Sequence, residues 1–308
     1  MSPGRLPEEL IIRPPSEAGS VLVRLVRGCA WNRCLFCGQY PFFGEPAFST
    51  RTVGEVKRDI SLLREAWPAA RTAFMGDADP MIVPLDEGLE IVRAIREAWP
   101  GLERLTCYAR ATTLWKKGPE ALRRLAGAGL TRVHVGLESG DLATLRFHRK
   151  GQNPRVLIES GRWIREAGLE LSFYVLLGLG GADRWKEHVD GTAEVINAVD
   201  PEFVRVRRLW LYRGGEQGAG PECPLWNEVR TGRFRPQSAE GTVLELRRLL
   251  AAFAGVSSFF TCDHANNYVR VEGRLMAERD AMLEVVDGFL ALPPDERERR
   301  YDFVGSRL

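Results

Sequence analysis

No stretch of the 308-residue chain is apolar for long enough to cross a bilayer; Val175 to Leu179 is typical of the longest runs. No apolar segment follows a basic start in the opening residues MSPGRLPEELIIRPP, so nothing there reads as a secretory signal. Neither sign of charge dominates. Forty-three basic and 41 acidic side chains leave a formal net charge of +2, and charge alone gives no reason to expect a nucleic-acid partner. There is no internal repeat and no low-complexity block. The expectation is a cytoplasmic protein without a membrane partner, and a reducing compartment makes a disulfide framework the wrong reading of its six cysteines. Cys107, Cys223 and Cys262 are scattered singly, whereas Cys29, Cys34 and Cys37 are bunched, which points to metal or redox chemistry.

What is present is an alternation of β-like apolar runs with amphipathic stretches. Residues 1–20, rich in Pro, Glu and Gly, read as a loose arm. Strands are expected at 21–26, 71–75, 104–109, 131–137, 169–179 and 202–211. Helices are expected between them at 52–66, 85–99, 119–128, 154–167 and 185–198. Thr52 followed by Glu55 is a capping box. Alternating strands and helices imply a parallel sheet with right-handed crossovers. The first strand lacks the glycine fingerprint of a nucleotide-binding fold, so the expectation is α/β, a partial (β/α)6 TIM-like barrel spanning 21–235. Residues 236–308 would form a C-terminal α/β extension capping it, with helices at 237–254 and 276–292, a strand at 256–261 and a frayed charged tail. In such barrels chemistry sits at the C-terminal ends of the strands.

The first strand runs into RGCAWNRCLFCGQY, with three thiols spaced Cys-x4-Cys-x2-Cys. Such a loop can wrap three corners of an iron–sulfur cube or three positions of a zinc tetrahedron. Structural zinc wants four protein ligands, and the next candidate, Cys107, is far along the chain. A cube held by three thiolates leaves one iron free to bind something else.

On a first barrel strand, this loop resembles that of the radical S-adenosylmethionine (SAM) superfamily. Cys34-Leu35-Phe36-Cys37 matches the second half of the family motif, with Phe36 as the aromatic residue before the last Cys. Cys29 stands one residue further away than the usual spacing. The resemblance implies a 4Fe-4S cluster on Cys29, Cys34 and Cys37, and it extends to the other strand ends. Gly76-Asp77-Ala78-Asp79-Pro80 resembles the turn that takes the methionyl amino group, where the Asp77 and Asp79 carboxylates would attract the ammonium; the alternative is an ordinary Asp-rich turn. Glu138 matches the residue that binds the ribose hydroxyls, and Lys150 the basic position opposite the methionyl carboxylate; the alternatives are a surface Glu and a solvated basic run. Leu176 would pack on the adenine and Gly178 would let backbone approach its edge. The acid sometimes found three places after that glycine is Gly181 here. Arg205 and Arg207 alternate with Val204 and Val206, which sets both arginines inside the barrel. There they would meet the SAM carboxylate or an anionic substrate, unless they pair internally with Asp77, Asp79 or Glu138.

The implied activity is reductive cleavage of SAM to a 5′-deoxyadenosyl radical that abstracts hydrogen from a small, anionic substrate. An electron donor such as flavodoxin or ferredoxin would supply the electron. Tyr40, Tyr108, Arg110, Tyr174, Trp210 and Tyr212 are candidates to line the substrate space. Tyr108, Arg207, His264 and Tyr268 are the candidate catalytic residues, the last two on the polar segment Cys262–Tyr268, which reads equally as a capped loop with a structural His. This sequence shows no second Cys-rich run, cobalamin-sized extension or basic RNA-binding appendage, so methylation via cobalamin, peptide maturation and tRNA thiolation are not the expectation; a second cluster on the three scattered cysteines is the alternative. The alternative function is a non-catalytic iron–sulfur protein for electron transfer or redox sensing.

Overall fold

The structure, a computed structural model, describes residues 7–9, 12–45, 47–211 and 221–305. In chain order, Val21–Arg24 (β1) and Val26–Arg27 (β2) precede Gln39–Phe42 (α1), Ser49–Thr50 (β3) and Val53–Ala66 (α2). Then follow Thr72–Gly76 (β4), Leu85–Ala98 (α3), Arg104–Ala109 (β5), Ala111–Ala128 (α4), Arg132–Glu138 (β6), Leu142–Phe147 (α5) and Pro154–Glu166 (α6). Glu170–Leu177 (β7), Gly181–Val199 (α7), Phe203–Arg208 (β8), Leu225–Arg230 (α8) and Ala239–Ala252 (α9) come next. Phe259–Thr261 (β9), Glu272–Arg274 (β10), Leu275–Leu290 (α10) and Pro294–Gly305 (α11) complete the order.

One sheet runs β1-β4-β5-β6-β7-β8-β9-β10. Every pairing from β1 to β9 is parallel, and β10 alone is antiparallel. β1 and β10 are its edges, so the barrel is open, a TIM-like (β/α) arrangement with helices outside. β9 continues the parallel series beyond the sixth strand, so part of the C-terminal region adds to the sheet's edge. A separate two-stranded ribbon joins β2 to β3.

Local chemistry explains the helix boundaries. Thr52 and Glu55 form the expected capping box of α2. Asn153 caps α6 ahead of Pro154, and Asp141 accepts from the first turn of α5. Gly129 ends α4 at φ 115°, where a side chain would strain the backbone. That helix begins at Ala111, eight residues before the expected Pro119, and breaks at Gly118 (φ 82°).

Outward-facing strand residues such as Val133, Val135, Leu137, Leu171 and Phe173 are buried under the helices. The opposite set faces the lumen. Phe74, Tyr108, His134 and Tyr174 form an aromatic layer there, with neighbouring ring centroids 5.1–6.5 Å apart.

The described part of the N-terminal arm corrects the expectation of looseness. Glu17, on a 3-10 turn at Pro15–Glu17, is fully buried. Its carboxylate accepts from Ser20 at 2.6 Å, lies 3.3 Å from His134 Nε2 and pairs with Arg104 at 3.3 Å. Burial alone would raise its pKa, but hydrogen bonds from His134 and Ser20 and the charges of His134 and Arg104 outweigh it and bring the value to about 2. Glu8 likewise binds Arg24, Arg27 and Arg51. The arm therefore closes the N-terminal end of the lumen. The tail expected to fray is helix α11, whose Tyr301 packs on Tyr268 and Phe289.

Candidate active site

The β2–β3 ribbon pinches off residues 28–48 as one excursion above the C-terminal ends of the strands. Gly28 sits at φ 67°, and a Cβ there would lie 2.5 Å from the Ala47 carbonyl oxygen, so only glycine lets the excursion close. The excursion is stitched to the barrel at several points. Leu35 N–H donates to the His148 carbonyl at 3.0 Å, and Trp31 Nε1 donates to the Arg149 carbonyl at 2.7 Å. The Leu35 carbonyl accepts from Leu225 N–H at 2.8 Å and from the Cys223 thiol at 3.1 Å.

Cys34 and Cys37 pack against an apolar cluster of Leu35, Phe36, Leu179, Cys223, Leu225 and Phe234, with Leu176 at its margin. Burial pushes both thiols up, Cys37 to about 12, and each feels the charge of Cys29 and of Lys150. The three sulfurs are thus mutual neighbours with a cation beside them. Among the described residues no three His, Cys, Asp or Glu side chains converge on a single-ion position. A cube bonds each thiolate to a different iron and requires no such common point.

Glu138 and Lys150 form a 3.0 Å ion pair next to Cys34. Glu138 lies at a β-bulge with φ 60°, a strained position for a residue with a side chain. A Cβ on Gly136 would lie 2.2 Å from Glu138 Oε1 and 3.0 Å from Lys150 Nζ, so this glycine makes room for the pair. Gln152, which the sequence did not single out, fixes the bulge by donating to the Gly136 and Leu137 carbonyls.

The turn at 76–80 differs from expectation at its side chains. Asp77 is fully buried and its Oδ2 lies 2.6 Å from Arg24, so its carboxylate is engaged in an internal ion pair. Asp79 is also buried, accepting from Thr113 Oγ1 at 2.5 Å and Arg110 N–H at 3.3 Å. Burial raises its pKa to about 6 against those hydrogen bonds. Ala78 is the residue of this turn that is not fully buried, next to Gly76 at the end of β4.

Arg205 and Arg207 face the lumen as the alternation predicts, within electrostatic reach of His134 and Tyr174 for the first and of Tyr108 and His264 for the second. The internal ion pairs offered as an alternative are not formed: Asp77 binds Arg24, Asp79 binds Thr113 and Glu138 binds Lys150. Arg205 Nε is buried without a hydrogen-bond partner. His264 is half-buried, with Nδ1 2.7 Å from Asn266 Oδ1; burial and the Arg207 charge lower its pKa. Tyr268 is corrected. It packs outward between Arg208, whose Nη1 donates to its hydroxyl at 3.0 Å, and Tyr301 under α11. The flanking Asn267 is consumed in bonding Val206 and Arg208 backbone, which ties this segment to β8. Tyr40 is buried near Cys29, Cys37 and Tyr108, and Trp210 stands beside Arg208. Tyr212 lies outside the described residues. Cys107 and Cys262 are buried singly in the main core, and Cys223 lies apart from them against the thiol loop.

A buried relay was missed altogether. Gly178, at φ 84°, donates its N–H at 2.6 Å to Glu245 of α9, whose other oxygen accepts from Gln237. His188 Nδ1 lies 2.8 Å from Ser139 Oγ, and its Nε2 is 4.0 Å from Glu245. The sequence carried one signal for this: Glu245 falls on the buried face of α9 with Thr242, Val243, Leu246 and Leu249.

The sequence profile of the Radical SAM superfamily matches residues 23–190, more than half of the chain. The protein belongs to the radical SAM superfamily. No curated protein sequence matches it. Among solved structures, coproporphyrinogen III oxidase of Escherichia coli, a radical SAM enzyme, is similar over 75% of this chain and 51% of its own, with TM-score 0.55 and 14% identity. The radical SAM methyltransferase TsrM of Kitasatospora setae, in the form with cobalamin and cluster bound, is similar over 94% of this chain and 61% of its own, with TM-score 0.54 and 16% identity. The chain thus spans about half to three-fifths of these structures, and at such identities the likeness concerns the fold. As a member of the radical SAM superfamily the protein takes a 4Fe-4S cluster and SAM as cofactors. The residues present fit them: three neighbouring thiols on one loop, a Glu138–Lys150 pair beside them, and an orphaned arginine nitrogen in the lumen. No helix among the described residues is long and apolar enough to cross a membrane.

Proposed function

We propose that Cys29, Cys34 and Cys37 hold the cluster and that the rim from Gly76 to Gly178 holds SAM, over a lumen that receives a small anionic substrate. The observation that carries this reading is the clustering of Lys150, Glu138 and Arg110 around Cys34, since it gathers the connections that follow β5 and β6 at one thiol. When bound, the reduced cluster and SAM supply a 5′-deoxyadenosyl radical that abstracts hydrogen.

In this reading Lys150 pairs with the methionyl carboxylate and releases Glu138 to accept from the ribose hydroxyls. Backbone at Gly76, Asp77, Ala78 and Asp79 takes the amino group, Leu176 packs on the adenine and the Gly178 turn approaches its edge. Phe36 screens the thiol loop from water. Arg205 and Arg207 orient the anionic end of the substrate, with Arg205 also reaching the SAM carboxylate. Tyr108 forms the lumen wall, and His264 is placed to move a proton at its imidazole.

The test is anaerobic. Protein reconstituted with iron and sulfide is mixed with SAM and dithionite, and 5′-deoxyadenosine is measured by mass spectrometry. Product that disappears in Cys34→Ala supports the reading. A cluster that forms while SAM neither binds nor breaks would favour an electron carrier instead.

A further inference from the structure

The thiol loop has one residue more between Cys29 and Cys34 than the spacing it resembles, and the structure shows what the longer spacer does. Asn32 turns at φ 40°, its N–H 3.4 Å from Cys29 Sγ, and the spacer lays the Trp31 indole over the segment that follows α5. That segment contains Lys150. His148, Arg149 and Lys150 lie past the end of α5, where carbonyls must find partners outside the helix. All three do. The His148 carbonyl accepts from Leu35 N–H at 3.0 Å, the Arg149 carbonyl from Trp31 Nε1 at 2.7 Å and the Lys150 carbonyl from Arg110 Nη2 at 2.9 Å. Two of these donors belong to the thiol loop. The third is tied to it, because the Arg110 guanidinium lies 4.6 Å from the centroid of the Trp31 ring. The indole also rests on Gly151, where a Cβ would come within 2.3 Å of it.

The clamped backbone is one that needs holding. Arg149 stands at φ 53° and Gly151 at φ 71°. The left-handed region costs a residue with a side chain free energy, so Arg149 stays there only while its surroundings fix it. Between these two kinks sits Lys150, with Nζ 3.0 Å from Glu138 Oε1 and 5.8 Å from the centroid of Phe36. The direction in which Lys150 presents its ammonium is set by its two neighbours, and they are set by the indole and the guanidinium.

We infer that Trp31, together with Arg110, is a positioning residue that aims Lys150 at the methionyl carboxylate, so that order in the thiol loop is passed on to the grip on SAM. The inference rests on the SAM reading above, in which Lys150 meets that carboxylate. Trp31 acts through the backbone of residues 149–151 and not through charge. The longer Cys29–Cys34 spacing supplies the residue that makes this contact.

The test compares two ligands on protein reconstituted with iron and sulfide: SAM, and decarboxylated SAM, which lacks the group Lys150 would meet. Dissociation constants are measured by equilibrium dialysis, with iron content as the control. W31A is expected to weaken SAM binding about tenfold, the loss of one well-aimed charge-assisted contact, and to leave decarboxylated SAM and iron content unchanged. W31F keeps a ring over Gly151 but loses the donor to Arg149, so its SAM affinity should fall between W31A and the parent; if W31A loads less iron, W31F carries the same comparison. K150M should show the same selective loss, and W31A/K150M should bind SAM no more weakly than K150M alone, because both changes remove one interaction. Unchanged SAM affinity in W31A beside a loss in K150M overturns the clamp and leaves the SAM reading standing. Equal losses for both ligands in W31A, or additive losses in the double variant, assign Trp31 a merely structural role and overturn the inference too. Unchanged SAM affinity in K150M overturns the placing of the carboxylate at Lys150, and the inference with it.

Discussion

At the scale of single residues, the rim of the barrel is governed by where a side chain cannot be. Gly136 leaves the space in which Glu138 and Lys150 meet. A methyl group there displaces two flexible side-chain ends and no backbone, so Gly136→Ala should fold and load iron normally. Its SAM affinity should fall by about tenfold, the loss of one charge-assisted contact of about 1.4 kcal/mol. Equilibrium dialysis with SAM alongside an iron assay separates the two effects, and unchanged affinity would remove the pair from the SAM site. Tyr268 teaches the complementary lesson. In the sequence it shares a polar segment with His264, but the short loop after β9 turns one residue toward Arg207 and the other toward α11. Spacing alone carries no information about which side of a sheet edge a loop residue takes.

At the scale of elements, α9 reaches into the SAM-side rim through one carboxylate. Burial raises the Glu245 pKa from 4.5 to about 7, opposed by the Gly178 N–H and Gln237. A raised acid pKa means that the folded state holds the proton longer than the unfolded chain. Its contribution is therefore neutral below about pH 4.5 and becomes destabilising as pH rises toward 7. Glu245→Gln keeps an oxygen for Gly178 and removes that burden, so its melting temperature relative to the parent should rise more at pH 8 than at pH 5. Equal shifts at both values would mean that the carboxylate is already protonated or already solvated. The elements that were legible in the sequence are those with a period long enough to detect. β4 to β8 and their helices, the start of α4 excepted, stand close to the ends expected from apolar alternation and caps. The two-residue strands β2 and β3 were not legible, because two residues have no period, and β10 exists only through its pairing with β9. The relay from Glu245 to Ser139 joins positions far apart in sequence, and only the closed packing of α7 and α9 brings them together.

At the scale of the whole molecule, the N-terminal arm is part of the barrel. The Glu17 pKa of about 2 lies below its ordinary 4.5, so the stability it supplies is fully present above about pH 4.5 and is lost as pH falls toward 2. Glu17→Ala leaves Arg104 and His134 without their shared acceptor. It should cost about 3–5 kcal/mol near neutrality, read by urea denaturation, with the deficit shrinking as the acid limit is approached. A loss below about 1 kcal/mol would return the arm to the status of a loose strand of chain. The open parallel barrel itself was legible as an order of strands and helices. Its closed floor was not, since the Pro- and Glu-rich arm has no periodicity and is ordered by partners that come far later in the chain.

That floor has a consequence for traffic. Glu17 and His134 stop the lumen beneath the aromatic layer, so nothing bound above Tyr108 and Tyr174 can leave by the end opposite to its entry. Arrivals and departures therefore share the rim and the unclosed flank between β1 and β10, like a harbour with a solid quay on one side only. A large molecule lying across that mouth would hold back whatever had moored beneath it.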